Sequence, residues 1–409
     1  MARCLLIPHA PTSGLAHVGA CMAVGRHLRG RGHDVTLAYG GTRPELIERE
    51  GFDWHRVPEV TPEREWSPGG WFASEAELHS LVEAHRELLD ELRPDVAVAS
   101  SGVPGRLACE LAGVPLLYLM HYIQTTPYGR RPIVWGDRRR DLRHPRRAAR
   151  VLRARLGPRG RRRRGVPPTA QVVEKVRSQL GLPPAGAADY AGAHDTLVAI
   201  TSAPFVDPAV GLPGHWRHVG PLAWSAPVTG PQARVQRGER PLVYVTQGST
   251  GDPELLRRAV TELATEHVDL LVATGGLCDP GELAALGPRV RAADLLPGRA
   301  CLEAADAAVI HGGHLTFCEA LATGTPVVVV PHRSDQTARV NRAERLGVGR
   351  AVWPLPRRPG AIARAVRRVL RDPGYRRRSA TLAARLEGWD GAANAAELAE
   401  RLATRERVA

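Results

Sequence analysis

The chain carries two runs of short apolar segments alternating with helical patterns, separated by a proline-rich stretch, and this repetition limits the fold more than any other feature. In the first run, ARCLLIP reads as a strand and HVGACMAVGRHLRGRG as a helix with Gly32 just past its end. DVTLAY is the next strand and, after a helical stretch, RPDVAVAS another; a helix around GRLACELAG and the apolar run VPLLYLM follow. Strands of this kind joined by helices are the signature of parallel βα units in a sheet covered on both faces. A helix from Thr169 to Leu180 and the strand TLVAI extend the series. The second run begins at PLVYVTQGS and continues through VDLLVAT, AAVIHGG and TPVVVVP. Two α/β domains are therefore expected, and 409 residues are too many for one ordinary core.

Composition sets the broad class. Apolar content of 43% and charged content of 24% are those of an ordinary globular protein. No stretch approaches the roughly 18 to 20 unbroken apolar residues of a membrane span. Pro8, His9 and Pro11 break the first apolar run before it could act as a signal peptide, so a cytoplasmic location is expected. The six cysteines (Cys4, Cys21, Cys109, Cys278, Cys301, Cys318) form no CxxC pair and read as small buried hydrophobes, not a zinc site or disulfide framework.

The net charge of +14 is local. Residues 130 to 164 hold sixteen arginines against Asp137 and Asp141, which accounts for the whole excess. Lys175 is the only lysine, a bias that reflects a GC-rich genome more than function. Residues 129 to 168, with at most one short basic helix (DLRHPRRAARVLRARL), interrupt the βα pattern. A solvated loop is the first reading of this segment. An acidic acceptor, or transient contact with an anionic membrane surface carrying a lipid acceptor, is the second. Nucleic acid is disfavoured, since no reading module accompanies the arginines and few aromatics are present to stack.

The boundaries that follow are an N-terminal domain over 1–222, including the 129–168 segment, a linker over 223–240 and a second domain over 241–385. Residues 219–241 carry four prolines and no sustained periodicity, as a linker should. Two such halves predict a cleft at the carboxyl ends of the parallel strands.

The most informative segment spans residues 307 to 349, AAVIHGGHLTFCEALATGTPVVVVPHRSDQTARVNRAERLGVG. It reads as strand, glycine turn, helix, strand and polar loop. Gly312 and Gly313 permit a sharp turn and close backbone approach. The following helix points its free N–H groups and positive dipole end at whatever lies above the turn, and a diphosphate suits that position.

This segment, with the preceding DLLP, resembles the nucleotide-sugar signature of family 1 glycosyltransferases of the GT-B fold, H-G-G-x-G-T-x-x-E-A-L followed by a D-Q pair. Many bacterial members glycosylate macrolides and other natural products. The resemblance implies two Rossmann-like doubly wound domains facing a central cleft, with acceptor bound by the first and a UDP- or dTDP-sugar by the second. It also implies that the C-terminal helix, within 386–409 and roughly Ala392 to Glu406, packs back on the N-terminal domain.

Carried over by position, His311 and the backbone of Gly312, Gly313, His314, Leu315 and Thr316 hold the diphosphate. Glu319 binds the ribose hydroxyls, and Asp335 and Gln336 the sugar. Gly248, Ser249 and Thr250, in VTQGST, match the other phosphate-side loop, and Leu296 lies in the nucleobase loop Leu295–Leu296–Pro297. Two positions depart from the pattern. Leu315 replaces a usual glycine and would crowd the phosphates unless the backbone shifts, and Gly298 stands where glutamine is common.

On the acceptor side, SGLAHVGACMAVGRHL resembles the family's first loop and helix, placing His17 on the histidine that acts as general base; Ala16 and Gly19 depart mildly from that pattern. Histidine titrates near neutrality and can take the proton of an attacking hydroxyl. A position at the start of a helix would hold it neutral through the helix dipole. The family's usual aspartate partner is replaced by Ser100, followed by Ser101. Three answers remain open: His17 acts alone, another acid such as Glu110 reaches in, or the acceptor is acidic enough to need little help.

No D-x-D sequence occurs, so no metal and no cofactor are expected; a single in-line displacement implies inversion at the anomeric carbon. The partners expected are a small-molecule acceptor and a nucleotide sugar, acting on a monomer or homodimer. Trp54, Trp66, Trp71, Phe72, Tyr128 and Trp135 either line an aromatic acceptor site or serve as core or lid. Two alternatives stay open at this point: a nucleotide-sugar epimerase of the same fold, and a non-catalytic homologue that only binds donor or partner.

Overall fold

The structure, a computed structural model, describes residues 1–9, 14–60, 71–121, 168–184, 196–208, 212–228, 235–332, 336–353 and 359–404. The first sheet contains β1 (Arg3–Pro8), β2 (Asp34–Tyr39), β3 (Asp53–Arg56), β4 (Val96–Ser100), β5 (Leu116–Met120), β6 (Leu197–Ile200) and β7 (Trp216–His218). The second contains β8 (Leu242–Thr246), β9 (Asp269–Ala273), β10 (Val290–Ala293), β11 (Ala307–Ile310), β12 (Val327–Val329) and β13 (Gly349–Ala351). Their orders are β3-β2-β1-β4-β5-β6-β7 and β10-β9-β8-β11-β12-β13, and every pairing between these strands is parallel. Both sheets are doubly wound, and the two Rossmann-like domains read from the sequence are present.

Nine of these strands were legible as apolar runs. The four that were not, β3, β7, β10 and β13, are the four sheet edges. They are three or four residues long, and an edge partly open to water needs no continuous apolar run.

The helices of the first domain are α1 (Leu15–Gly30), α2 (Glu45–Arg49), α3 (Glu75–Leu92), α4 (Val103–Ala112) and α5 (Pro168–Gln179). Those of the second are α6 (Pro253–Ala264), α7 (Pro280–Ala284), α8 (Gly298–Ala304), α9 (His314–Ala322), α10 (Gln336–Leu346), α11 (Ala361–Arg371) and α12 (Pro373–Leu386), and α13 (Gly391–Ala403) ends the described chain. Local signals account for several starts. Ser74 caps α3 by accepting from Glu77 N–H, and Asp252 caps α6 with Pro253 behind it. Five of the six cysteines are buried and Cys278 is half-buried, all as free thiols.

After α12 the chain crosses back. Asp390 caps α13, whose Ala392, Ala395, Ala396 and Ala399 are buried in the same cluster as Val18, Cys21 and Val24 of α1. Small side chains allow that close approach, and Glu400 anchors the far end through His33 at 2.7 Å. The crossover between β7 and β8 is held less expectedly. Trp224 is buried against α1, its Nε1 donating to Glu50 at 2.6 Å, while Glu50 also receives Arg26 Nε at 2.7 Å.

The indole fits because residue 19 is glycine: a Cβ there would come within 2.6 Å of Trp224 Cδ2. Gly19→Val should therefore lose about 1–3 kcal/mol through overpacking, read as a lower unfolding midpoint in denaturant. Trp224→Ala in the same background should recover part of that loss, because the clash is gone.

Candidate active site

Each sheet reverses its strand order once, between β1 and β4 and between β8 and β11, and the carboxyl ends at both reversals line one cleft of about 350 Å3. On the second domain, β11 runs into His311, Gly312 and Gly313 before α9 begins. Gly312 adopts φ +91°, the left-handed region open to glycine. Gly313 offers no side-chain cap, so the first N–H groups of α9 are left to a ligand in the cleft. Across from them Gly248, at φ +64°, turns the chain after β8 into Ser249 and Thr250.

The His311 imidazole lies between these two turns. A Cβ on Gly248 would sit 2.7 Å from its Cε1, and one on Gly313 would press on its Nε2. Thr316 and Glu319, one helical turn apart, both face the cleft. Glu319 is buried and accepts from Ser225 Oγ at 3.1 Å; burial pushes its carboxyl up to about 7, against the lowering effect of Ser225. Leu295, Leu296 and Gly298 bound the same end, and the Cα of Gly298 points a hydrogen where a Cβ would lie 3.6 Å from Glu319 Oε2. Gln336 also lines the cleft and is buried, its Oε1 accepting from His332 N–H at 2.9 Å. Asp335 lies outside the described residues.

The side chains of His314 and Leu315 are both buried. The His314 side chain enters a buried network. Its Nε2 lies 2.8 Å from Thr201 Oγ1 and its Nδ1 accepts from Arg339 Nη2 at 2.6 Å, so only its backbone is available to a diphosphate. Leu315, 9% exposed, packs in the apolar cluster that contains Val18 and Trp224. It thus seals the domain seam at the cleft wall.

On the first domain, β1 and β4 end level, Pro8 opposite Ser100. His17 stands in the first turn of α1 with Nδ1 2.8 Å from Ser100 Oγ. With the proton on Nδ1, His17 donates to Ser100 and leaves Nε2 as a base. Ser101, at φ +65°, is one of two described non-glycine residues in the left-handed region and turns the chain sharply out of β4. Burial, reinforced by His9, lowers the His17 imidazole to about 3. The helix dipole invoked from sequence is not the leading cause; desolvation is. Glu110 does not reach His17, because both its oxygens are held by Arg177, at 2.6 and 2.7 Å.

Several cleft residues escaped the sequence reading. His9, directly after β1, was findable from the rule that ligands gather at the carboxyl ends of strands beside the reversal. His121, after β5, follows the same rule, its ring 5.6 Å from His17 and 4.0 Å from His314. Ser225 and Arg339 carried no local signal, since a linker serine and a helical arginine are ordinary. Of the aromatic candidates, Trp71 lines the cleft, stacked on His9 at 5.0 Å. Phe72 is buried core, and Trp54 donates to Glu48 on the outer face. Trp66, Tyr128, Trp135 and the arginine-rich segment 130–164 lie outside the described residues.

Among the described residues, polar contacts join the domains across the cleft. Leu15 N–H, at the start of α1, donates to Ser249 Oγ at 3.1 Å. Arg43 pairs with Asp294 at 2.8 Å, and Thr201 with His314. Asp207 receives Arg339 at 2.9 Å and Arg342 at 3.3 Å, with Asp207 and Arg339 both buried.

Two facing Rossmann-like domains, a glycine-bounded open helix end on one and a buried neutral histidine on the other, define the GT-B class of sugar transferase. Comparison with known proteins agrees. The model described as Erythromycin biosynthesis protein CIII-like, C-terminal domain, matches residues 260–402. Over 397 residues the chain is 28% identical to a PGL/p-HBAD biosynthesis rhamnosyltransferase of Mycobacterium bovis, covering 93% of this chain and 83% of that one. It is 29% identical over 427 residues to 4'-demethylrebeccamycin synthase of Lentzea aerocolonigenes, covering 96% and 98%. Among solved structures, the glycosyltransferase SsfS6 of Streptomyces sp. SF2575, complexed with thymidine diphosphate, superposes with a TM-score of 0.68 at 18% identity, covering 98% of this chain and 100% of that one. The chain is a glycosyltransferase of the GT-B fold, akin to the family 1 enzymes of natural-product biosynthesis. Among the described residues no helix is long and apolar enough to cross a membrane.

The packing of His311 gives a direct test of the donor side. Gly313→Ala should displace the imidazole while leaving α9 folded, and weaken binding of UDP or dTDP by about tenfold, the worth of one good hydrogen bond. Calorimetry on the folded variant reads this.

Proposed function

We propose that the chain transfers a sugar from a dTDP- or UDP-sugar to a small natural-product or lipid-like acceptor by a single inverting displacement that needs no metal. The observation that carries this reading is the opposition, across one cleft, of a neutral histidine on α1 and the uncapped N-terminus of α9. The relatives' activities, a rhamnosyl transfer in glycolipid biosynthesis and the synthesis of 4'-demethylrebeccamycin, support the acceptor class. The thymidine diphosphate in the SsfS6 structure supports the donor class.

In this reading the acceptor hydroxyl approaches His17 Nε2, which removes its proton as the oxygen attacks the anomeric carbon. Ser100 fixes the tautomer. Such a base contributes typically about 100- to 10,000-fold in rate. The nucleoside diphosphate leaves as negative charge gathers on its phosphate oxygens. The N–H groups at the start of α9, the Ser249–Thr250 turn and His311 meet that charge, an electrostatic stabilisation that supplies what a metal otherwise would. Attack opposite the leaving group inverts the anomeric centre. Glu319 takes the ribose hydroxyls, Leu296 borders the base, and Gln336, with Asp335, takes the sugar.

Calorimetry with UDP and dTDP separates the roles. His311→Ala should weaken nucleotide binding by about tenfold or more, while His17→Ala should leave it within about twofold. Failure of either nucleotide to bind the wild-type chain would remove the donor assignment.

Glu319 adds a pH test. Its carboxyl is raised to about 7, so it is partly protonated at neutral pH. Ribose hydroxyls donate best to the carboxylate, so binding must draw that proton off. Affinity should therefore rise as pH increases through 7, by at most about tenfold per pH unit below it, and level off above. Glu319→Gln should flatten this dependence, leaving only the part due to the nucleotide's own phosphates. An unchanged slope in that variant would place the hydroxyl contact elsewhere.

A further inference from the structure

The end of β4 lacks the carboxylate that would stabilise a protonated His17, and the surroundings of the ring show where negative charge comes from instead. His9 follows β1, and its backbone N–H donates to Ser100 O at 2.9 Å, which fixes it beside the His17–Ser100 pair. Its ring is stacked on Trp71 and stands edge-on to His17, with centroids 5.9 Å apart at 66°. Behind it lies Glu59, in the segment that follows β3, with Oε1 3.3 Å from His9 Nδ1 and only 12% of its side chain exposed. Gly40, past the end of β2, makes room for it: a Cβ there would lie 2.7 Å from Glu59 Cβ. Carboxylate, His9 and His17 thus come from the ends of neighbouring elements at the strand reversal.

Resting on the reading of His17 as base, we infer that Glu59, acting through His9, is a positioning residue that supplies His17 with the negative charge Ser100 cannot. The proton balance is simple. The acceptor's proton moves to His17 Nε2, its electron pair stays on the attacking oxygen, and Glu59 exchanges no proton in the step. Whichever nitrogen of His9 carries its proton, removal of the carboxylate makes the surroundings of His17 more positive. Glu59 acts to raise the His17 imidazole, opposing both burial and His9.

The other groups facing this site do not do the same. His121, after β5, and His314, on α9, are held well down by burial and so stay neutral. Arg339, on α10 beyond His314, is positive and paired with Asp207. Ser100 and Ser101 are uncharged. Glu110, the other nearby acid, is held by Arg177.

The test reads His17 itself and needs no acceptor. In full-length protein labelled with 15N-histidine, long-range proton–nitrogen correlation follows each ring, with His17 assigned from the His17→Gln spectrum. Ser100→Asp places a carboxylate against Nδ1 and should bring the His17 midpoint up by about 1–3 pH units. In that background Glu59→Gln should lower the midpoint by about 0.5 pH unit or more, and Glu59→Asp should keep at least half of the difference. A midpoint unmoved by Glu59→Gln, while Ser100→Asp shifts it, overturns the role of Glu59 and leaves the His17–Ser100 pair standing. If Ser100→Asp itself leaves His17 where it was, the pair on which both readings rest is wrong and both fall. Because Glu59→Asp keeps the charge, a loss common to both Glu59 variants marks disturbed packing and also overturns the inference.

Discussion

The buried Asp207–Arg339 pair fixes one domain against the other beside the cleft. Asp207 follows β6 in the first half of the chain, yet Ala203 and Val206 beside it are buried in the core of the second domain. The segment from Thr201 to Asp207 is therefore an arm of one domain set into the other. Arg339 and Arg342 hold Asp207 well into its ionised form despite burial that acts the other way. A pair so deeply desolvated adds little net stability, but breaking it by removing one partner typically costs about 3–5 kcal/mol. Its consequence is registry. Arg339 also donates to His314, and His314 meets Thr201, so the first turn of α9 is tied directly to the first domain.

With the domains held in this way, two helix starts become the working parts. The start of α1 is met by Ser249 of the opposite domain, which also lines the cleft. The start of α9 keeps its N–H groups for a ligand, because Gly313 has no side chain to offer. His311 fits between Gly248 and Gly313 only because both lack a Cβ. The glycines are therefore steric requirements of the histidine. Leu315 follows the same logic. Its side chain is part of the wall joining α9 to α1 and Trp224.

Legibility in the sequence followed burial and locality. Central strands such as VAVAS and LVYVT are fully buried and read directly as apolar runs, whereas GRA and WRH at the sheet edges do not. The donor turn was legible because its glycines, helix and D-Q pair are consecutive in the chain. His17 and Ser100 were found as separate positions in a pattern, and their 2.8 Å contact required the β1–β4 register. What stayed hidden is what only tertiary folding brings together. Ser225 reaches Glu319 across 94 residues, Arg339 reaches Asp207 across 132, and no local spacing encodes either. Glu59 belongs with these, because its partner His9 lies two strands away in the sheet.

Burial of His17 has a chemical consequence that follows from its magnitude. An imidazole lowered to about 3 is neutral near pH 7, the form that accepts a proton. The same burial makes the product of that step, an imidazolium in a desolvated cleft, expensive. A base of low basicity gives a small driving force for proton transfer, and general-base catalysis weakens accordingly. In the proposed displacement, that free energy must be recovered where charge develops in the transition state. A cleft emptied of water would strengthen the α9 N–H groups and His311 toward a departing diphosphate, because the local dielectric would fall for them as it does for His17. Desolvation would thus weaken the acceptor side and strengthen the donor side of such a displacement. Charge near His17 from a group that need not itself titrate is the arrangement that offsets the first effect without losing the second.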